Sequence, residues 1–290
     1  MSVTLERRAK QWPWPAALVV LGLCGVGAAA LAYWTSPAAA PDVTPAAVAS
    51  PGGPIHVPLF VDPAQVRPTP RFRFTFDPPE AHAELRREEK LDAVVAEGRD
   101  DLARATALMQ WARSQWEPGI PSPYPPLNAR VILADIRRGF TGGFCAQYNY
   151  VLAQALQSFG IPARYVSVRE HEVIEARLPD QGRWICLDPL YATWYKDSGD
   201  RPLSVLEIHR LVKEGRPVLL SDSHRVADVG VHLQAFRSFA VWLKNDHITA
   251  PINFADLERY KVYFVDSPEE ASPLPPGTLV TSEPADLYPG

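Results

Sequence analysis

Apolar positions recur with two different periods along this chain, and the change from one to the other divides it into helical and extended regions. Through "DDLARATALMQWARSQW" the residues Leu102, Ala105, Leu108, Met109 and Trp116 fall near helical spacing, which predicts an amphipathic helix with a core-facing stripe. Leu85, Leu91, Val94 and Val95 extend the helical signal upstream, so a helical region runs from Glu84 to Trp116, with Gly98 expected to separate two helices. The five prolines of "EPGIPSPYPP" exclude a helix there. "LNARVILADIRRG" reads as a short helix closed by Gly139, and a further helix is expected from Cys145 to about Phe159. The pattern then shortens. "IPARYVSV", "EVIEARL" and "GRWICLD" read as consecutive strands, with turn chemistry at "PDQG" and Trp184 in the core. Helices are expected again at Leu203 to Glu214 and at Gln234 to Asn245, the second with Phe236, Phe239, Trp242 and Leu243 on one side. "RPTPRFRFTFD" and "YKVYFVD" read as strands, and "TLVTS" as an added edge strand within a proline-rich, otherwise irregular tail. Helices followed by strands, with no internal repeat, point to an α+β fold.

The first forty residues have a different character and stand apart from the fold. Arg7, Arg8 and Lys10 precede an uncharged apolar run from Ala16 to Trp34, bracketed by Trp12, Trp14, Tyr33 and Trp34. A helix of that length roughly spans a bilayer, and the positive flank places the N-terminus in the cytoplasm. The expected organisation is a cytoplasmic segment 1–15, a transmembrane anchor 16–34, a Pro/Ala-rich spacer 35–58, a folded domain 59–270 outside the cytoplasmic membrane, and a Pro-rich tail 271–290. The Ala-x-Ala pattern in "SPAAAPD" leaves cleavage and secretion as the alternative. Leu23 is too bulky for Cys24 to be a lipid-attachment site.

Composition narrows the function classes. With 290 residues, 47% of them hydrophobic, the chain supports one sizeable core plus appendages. A net charge of -4 and the lack of a long basic block give no reason to expect a nucleic-acid partner. Three cysteines do not form a disulfide framework, and Cys24 falls in the apolar N-terminal run. His56, His82, His209, His224, His232 and His247 show no metal-ligand spacing, and the glycines at 142 and 143 lack the Lys-Ser/Thr that a phosphate loop requires.

Cys145 is the residue that calls for an explanation. In "GGFC" two glycines permit an unusual backbone path, and a helix begins at the cysteine. Free N–H groups and the aligned dipole at a helix N-terminus stabilise negative charge, and so favour a nucleophilic thiolate. Such a thiol needs a base and a group to orient that base. His171 opens the second expected strand and Asp188 ends the third. A hairpin through Pro179–Gly182 brings them side by side, with His171, Val173 and Glu175 on one strand face and Trp184, Cys186 and Asp188 on one face of the next. A Cys145–Cys186 disulfide is disfavoured, because a helix terminus and a strand interior lie too far apart.

Taken together, "GGFC", "SFGIPARYVSV", "HEVIE" and "WICLDP" resemble the transglutaminase-like superfamily of papain-related thiol enzymes over about Arg137 to Tyr191. The resemblance implies a papain/transglutaminase-like core of N-terminal helices and an antiparallel sheet, with the nucleophile at a helix N-terminus. It also implies roles: Cys145 as nucleophile, His171 as general base and acid, and Asp188 as orienting carboxylate, with no metal or cofactor required. The chain departs from the family pattern at Val173, where an aromatic residue is common. Gln147 is a candidate second oxyanion donor beside the Cys145 N–H, and Glu175 a candidate supporting carboxylate. The function so implied is cleavage or transfer of amide or peptide acyl groups through a thioester, on a protein or peptide substrate, cell-envelope material included. The alternative is a catalytically silent scaffold or binding module with the same fold.

Overall fold

Where one break, at Gly98, is expected, the chain turns twice. A computed structural model describes residues 71–266, 274, 275 and 277–288. In it the first helical stretch divides into α1 (Ala83–Glu88) and α2 (Leu91–Val94). Lys90 between them is left-handed, at φ 53°, a conformation that cannot continue a right-handed helix. The corner lets Leu85 and Leu91 both reach the core, and the Arg86 guanidinium closes it by bonding the Asp92 carboxylate. Helix α3 (Asp101–Ser114) starts where the Asp100 side chain accepts the Ala103 N–H at 2.7 Å. Helix α4 (Ala129–Arg137) is capped in the same way by Asn128 and ends before Gly139, at φ 73°. Helix α5 runs from Cys145 to Gln157.

The expected strands follow as β2 (Ala163–Val168), β3 (His171–Leu178) and β4 (Arg183–Asp188), then β5 (Thr193–Lys196), α6 (Val205–Lys213) and β6 (Leu219–Leu220). A short strand, β1 (Thr75–Phe76), pairs in parallel with β8 (Lys244–Asn245). The remaining elements are α7 (Val229–Gln234), β7 (Phe239–Trp242), β9 (Lys261–Phe264), β10 (Leu279–Thr281) and α8 (Pro284–Leu287). The main sheet has the order β10-β9-β7-β2-β3-β4-β5-β6. Its neighbours are antiparallel except for the parallel edge pair β10–β9, so the sheet is mixed. The α+β class expected from the sequence is the one observed.

One element differs in kind. The helix expected over Gln234 to Asn245 is confined to α7 and a 3-10 turn at Ala235–Arg237, and "FAVW" is instead an inner strand. β7 pairs with β2 on one side and β9 on the other, and all four of its residues are buried. The spacing of Phe236, Phe239 and Trp242 mimics a helix, but two open strand edges supply hydrogen bonds that a helix would forgo, and aromatic and β-branched side chains suit a pleated surface. "TLVTS" does form the edge strand β10, so the chain beyond residue 270 contributes to the sheet. The segments read as cytoplasmic (1–15), transmembrane (16–34) and spacer (35–58) lie outside the described residues. Among the described residues no helix is long and apolar enough to cross a membrane.

Strand alternation gives the sheet two apolar faces. Tyr165, Ile174, Ala176, Ile185 and Leu187 pack on one side against Leu108 and Met109 of α3, Ile132 of α4 and Val151 and Leu152 of α5. Val166, Val173, Cys186, Val241 and Phe264 pack on the other against Val205 and Ile208 of α6 and Leu287 of α8.

A fully buried ion pair anchors the second face. Arg164 donates to one Glu175 oxygen through Nε (3.0 Å) and Nη2 (2.7 Å), and neither residue is exposed. The other Glu175 oxygen accepts the Val205 N–H at the start of α6 (2.7 Å) and the Tyr288 hydroxyl (2.8 Å). Arg164 also bonds the Leu287 carbonyl, and its guanidinium lies 4.0 Å from the Trp184 ring centroid. Trp184 is therefore half-buried against a cation rather than wholly in the core. Removing one member of such a pair leaves an uncompensated buried charge. Glu175→Ala is expected to destabilise the fold by about 3–5 kcal/mol, and the double change Arg164→Met with Glu175→Leu by less, as measured by denaturant unfolding.

Candidate active site

The two glycines before Cys145 are set by close packing. A Cβ on Gly142 would lie 2.6 Å from the Ile120 carbonyl oxygen, and one on Gly143 would lie 2.9 Å from Trp116 Nε1. The Gly143 carbonyl accepts both the Trp116 indole N–H (3.1 Å) and the Gly119 N–H (3.0 Å). Trp116 stacks on Tyr148 of α5, with centroids 4.0 Å apart. The proline-rich loop and the glycine turn are thus fastened together, and α5 starts from that junction.

The first main-chain bond of α5 runs from the Tyr148 N–H to the Phe144 carbonyl, so the amides of residues 145–147 have no acceptor within the helix. Their N–H groups and the helix dipole face the Cys145 side of the turn. Gln147 bends back, its Oε1 accepting the Phe144 N–H at 2.9 Å, and its amide lies against the Tyr124 hydroxyl. Gln147 therefore caps the helix, with its amide nitrogen buried.

His171 is the first residue of β3 and Asp188 the last of β4. The register that pairs Ile174 with Leu187 sets the two diagonally across the strand pair, at the end of the sheet. His171 Nε2 lies 2.7 Å from Asp188 Oδ2; the carboxylate is fully buried and the ring nearly so. The Cys145 side chain is close enough to act on the charge of the ring, and because Nε2 is taken by Asp188, Nδ1 is the nitrogen left to serve the thiol. The structure thus brings Cys145, His171 and Asp188 together at the end of the sheet, with His171 and Asp188 directly bonded. Burial alone would lower the His171 pKa, but the charge of Asp188, its hydrogen bond and the Cys145 side chain outweigh this and raise it to about 10. Burial alone would raise the Asp188 pKa, and the facing imidazolium, helped by the Tyr195 hydroxyl, holds it below the usual carboxylate range.

Several neighbours carry no local sequence signal. Tyr195 of β5 bonds Asp188 Oδ2 at 3.1 Å, and its hydroxyl lies 2.6 Å from His232 Nε2 of α7. The Tyr191 N–H reaches Asp188 Oδ1 at 3.4 Å. Burial and the charge of Glu172 push the hydroxyl of Tyr124, from the proline-rich loop, well up. Glu172 is held above the usual carboxylate range by burial, against the opposing charges of Lys261 and His171. Apart from Glu172, which follows His171 in β3, these residues are drawn in from other parts of the fold, so no motif announces them. Glu175, by contrast, spends both oxygens on Arg164, Val205 and Tyr288 and supports the fold. Val173 lies in the second apolar face rather than in a pocket wall. Cys145 is partly exposed and Cys186 buried; both are free thiols, and burial pushes the Cys186 thiol well up. A cleft of about 480 Å³ opens beside the site, lined by Arg113, Phe144, Leu190, Tyr191 and Arg225 among others. Among the described residues no group of three or more His, Cys, Asp or Glu side chains is arranged to hold a metal ion.

Residues 89–189 match the family model described as the transglutaminase-like superfamily. The resemblance seen in the motifs holds over this segment, which carries a transglutaminase-like core. Cys145, His171 and Asp188 fall inside the matched segment; Tyr195 and His232 fall beyond it. No curated protein matches the chain, and no solved structure does.

The raised and lowered values fix a pH window. His171 rises above its ordinary 6.5, so its contribution to stability is complete below that pH and is lost as pH climbs through about 10. Asp188 lies below its ordinary 3.8, so its contribution is complete above that value and is lost as pH falls through the lowered one. The melting-temperature gap between wild type and Asp188→Asn is expected to be widest between these limits and to narrow beyond both. In an NMR titration of the imidazole resonances, His171 should stay protonated at pH 8, and Asp188→Asn should return it towards its ordinary value.

Proposed function

We propose that this transglutaminase-like domain is a thiol-dependent acyl-transfer enzyme that acts on amide or peptide bonds, with water as the favoured acyl acceptor. The observation that carries the reading is the His171 ring, bonded to buried Asp188 at 2.7 Å through one nitrogen, with the Cys145 thiol beside it. In this reading the Cys145 sulfur attacks the carbonyl carbon as a thiolate, and the carbonyl π pair moves onto oxygen. The backbone N–H of Cys145 and the buried Gln147 amide, beside the Tyr124 hydroxyl, are the donors for that oxyanion. His171 gives its proton to the leaving nitrogen as the C–N bond breaks, and a thioester remains. Water then attacks the thioester while His171 takes a proton from it, and the C–S bond breaks to restore the thiolate and release the acid. An amine in place of water gives a new amide by the same steps. Water is favoured because Cys145 is partly exposed beside an open cleft, which brings solvent to the thioester.

The location follows from the N-terminal pattern: residues 16–34 anchor the chain, 35–58 space the domain from the bilayer, and the domain works outside the cytoplasmic membrane on protein or peptide, cell-envelope material included. Alkaline carbonate extraction should leave the full-length chain with the membranes and release a chain that begins at residue 59. Recovery of both in the soluble fraction would remove the anchor from the reading.

The chemistry is tested by thiol labelling. At pH 7 iodoacetamide should modify Cys145 at least about tenfold faster than a thiol in an unfolded peptide, while Cys186 reacts only after unfolding; peptide mass mapping separates these from Cys24. Cys145→Ser should abolish both the thioester formed with an activated ester and its turnover. Slow labelling of Cys145, equal to that of Cys186, would instead favour a catalytically silent scaffold.

A further inference from the structure

Asp188 has no solvent exposure, yet its carboxylate is approached by more than the His171 ring. Oδ2 lies 2.7 Å from His171 Nε2 and 3.1 Å from the Tyr195 hydroxyl, and Oδ1 takes the Tyr191 N–H. The Tyr195 hydroxyl has a second polar neighbour, His232 Nε2, at 2.6 Å. A phenol carries one proton and an ionised carboxylate can only accept. Asp188 therefore takes the Tyr195 proton, and the short contact to His232 is a hydrogen bond only if Nε2 of that ring carries hydrogen and the phenol oxygen accepts it. Donor balance alone thus assigns the His232 tautomer and orders the set as His232, Tyr195, Asp188, His171, Cys145.

His232 is held for this task. Its ring lies almost parallel to Tyr195, at 11°, and edge-on to Tyr191 and Phe236, with centroids 5.0 and 6.1 Å away. Only 8% of its side chain is exposed. It sits on α7, whose start is fixed by the Asp228 side chain accepting the Val231 N–H. The titratable groups facing it are Tyr191, Tyr195 of β5, Asp188 of β4 at 3.8 Å and His171 of β3, with ring centroids 5.8 Å apart. Burial and the nearby His171 charge lower its pKa, against the pull of Asp188, so the ring is neutral at physiological pH.

We propose that His232 and Tyr195 are positioning residues: the neutral His232 ring aims the Tyr195 hydroxyl at Asp188, which fixes the carboxylate in the one orientation that holds the His171 imidazolium against the Cys145 thiolate. Removing the donor frees the carboxylate to turn away from His171, which loosens the imidazolium and makes the thiolate harder to form. The inference rests on the thiol-enzyme reading, and its test needs no substrate.

The rate of Cys145 alkylation by iodoacetamide is followed against pH in the full-length protein. Wild type should show an acid limb lying below that of an unfolded-peptide thiol. Tyr195→Phe and His232→Phe keep the rings and remove the hydroxyl or the ring N–H, and should move that limb upward by about half a pH unit or more, roughly a threefold loss of thiolate on the limb. His232→Gln, whose amide nitrogen replaces Nε2 as a donor, should restore the wild-type profile. A purely packing role predicts lower melting temperatures with an unmoved limb, and no advantage of Gln over Phe. Profiles that superimpose on wild type in both Phe variants would overturn the inference while leaving the thiol-enzyme reading intact. A wild-type limb no lower than that of a free thiol would overturn that reading first. Should the variants fail to fold, nitrogen NMR of wild-type His232 decides: the neutral Nε2–H form at pH 7 supports the arrangement, and the Nδ1–H or charged form overturns it.

Discussion

A carboxylate with no solvent exposure has to be compensated where it stands, and the end of β4 is built around that requirement. Asp188 would lose several kcal/mol of hydration if left alone in so dry a place, so the charge persists only because donors converge on it. His171 supplies a cation and a hydrogen bond, Tyr195 a second hydrogen bond, and the Tyr191 amide a third. Each donor comes from a different element, and each element must be placed by the rest of the fold. The pleat does part of this work: β3, β4 and β5 lie side by side, so His171, Asp188 and Tyr195 share one side of the sheet. The helix layer on the opposite side does the remainder, because the loop at Trp116 and Gly143 sets where α5 begins and hence where the Cys145 sulfur lies.

The electrostatic consequence runs in one direction. Asp188 stabilises a proton on His171, and a protonated His171 stabilises negative charge on the Cys145 sulfur, to which the unbonded amides at the head of α5 add. No single term has to be large, since each makes the next favourable. The helix N-terminus alone would perturb a thiol modestly; an imidazolium pinned by a buried acid adds to it from the other side.

Much of this was legible in the sequence where chemistry and local structure coincide. The glycine turn before Cys145, the helix that starts there, and three successive strands around a tight turn all carry short-range signals, and the pairing of His171 with Asp188 follows from the hairpin that joins their strands. The reading failed where distant neighbours decide. "FAVW" has helical spacing with Phe236, but the open edges of β2 and β9 make it a strand. The break at Lys90 depends on a left-handed residue that no glycine marks. Gln147, read as a candidate oxyanion donor, also caps the helix through its oxygen, a second task that its place in the sequence does not show. Tyr195 reaches the site through the pairing of β5 with β4, and His232 through the placement of α7 beside Tyr195, relations that no spacing along the chain encodes.

Two carboxylates on the same sheet side, Glu175 and Asp188, make the difference between support and chemistry concrete. Both are fully buried and each is bonded to a cation at 2.7 Å. Glu175 faces Arg164, whose guanidinium keeps its proton at any pH the fold survives, so the pair holds α6 and the chain end in place and can do nothing else. Asp188 faces an imidazole, which can release and recover a proton when a neighbouring sulfur changes charge. Burial and geometry are alike in the two sites. The reactivity is set by the partner's ability to titrate, and the single titratable partner stands at the sheet's end, where a thiol at the head of a helix can reach it.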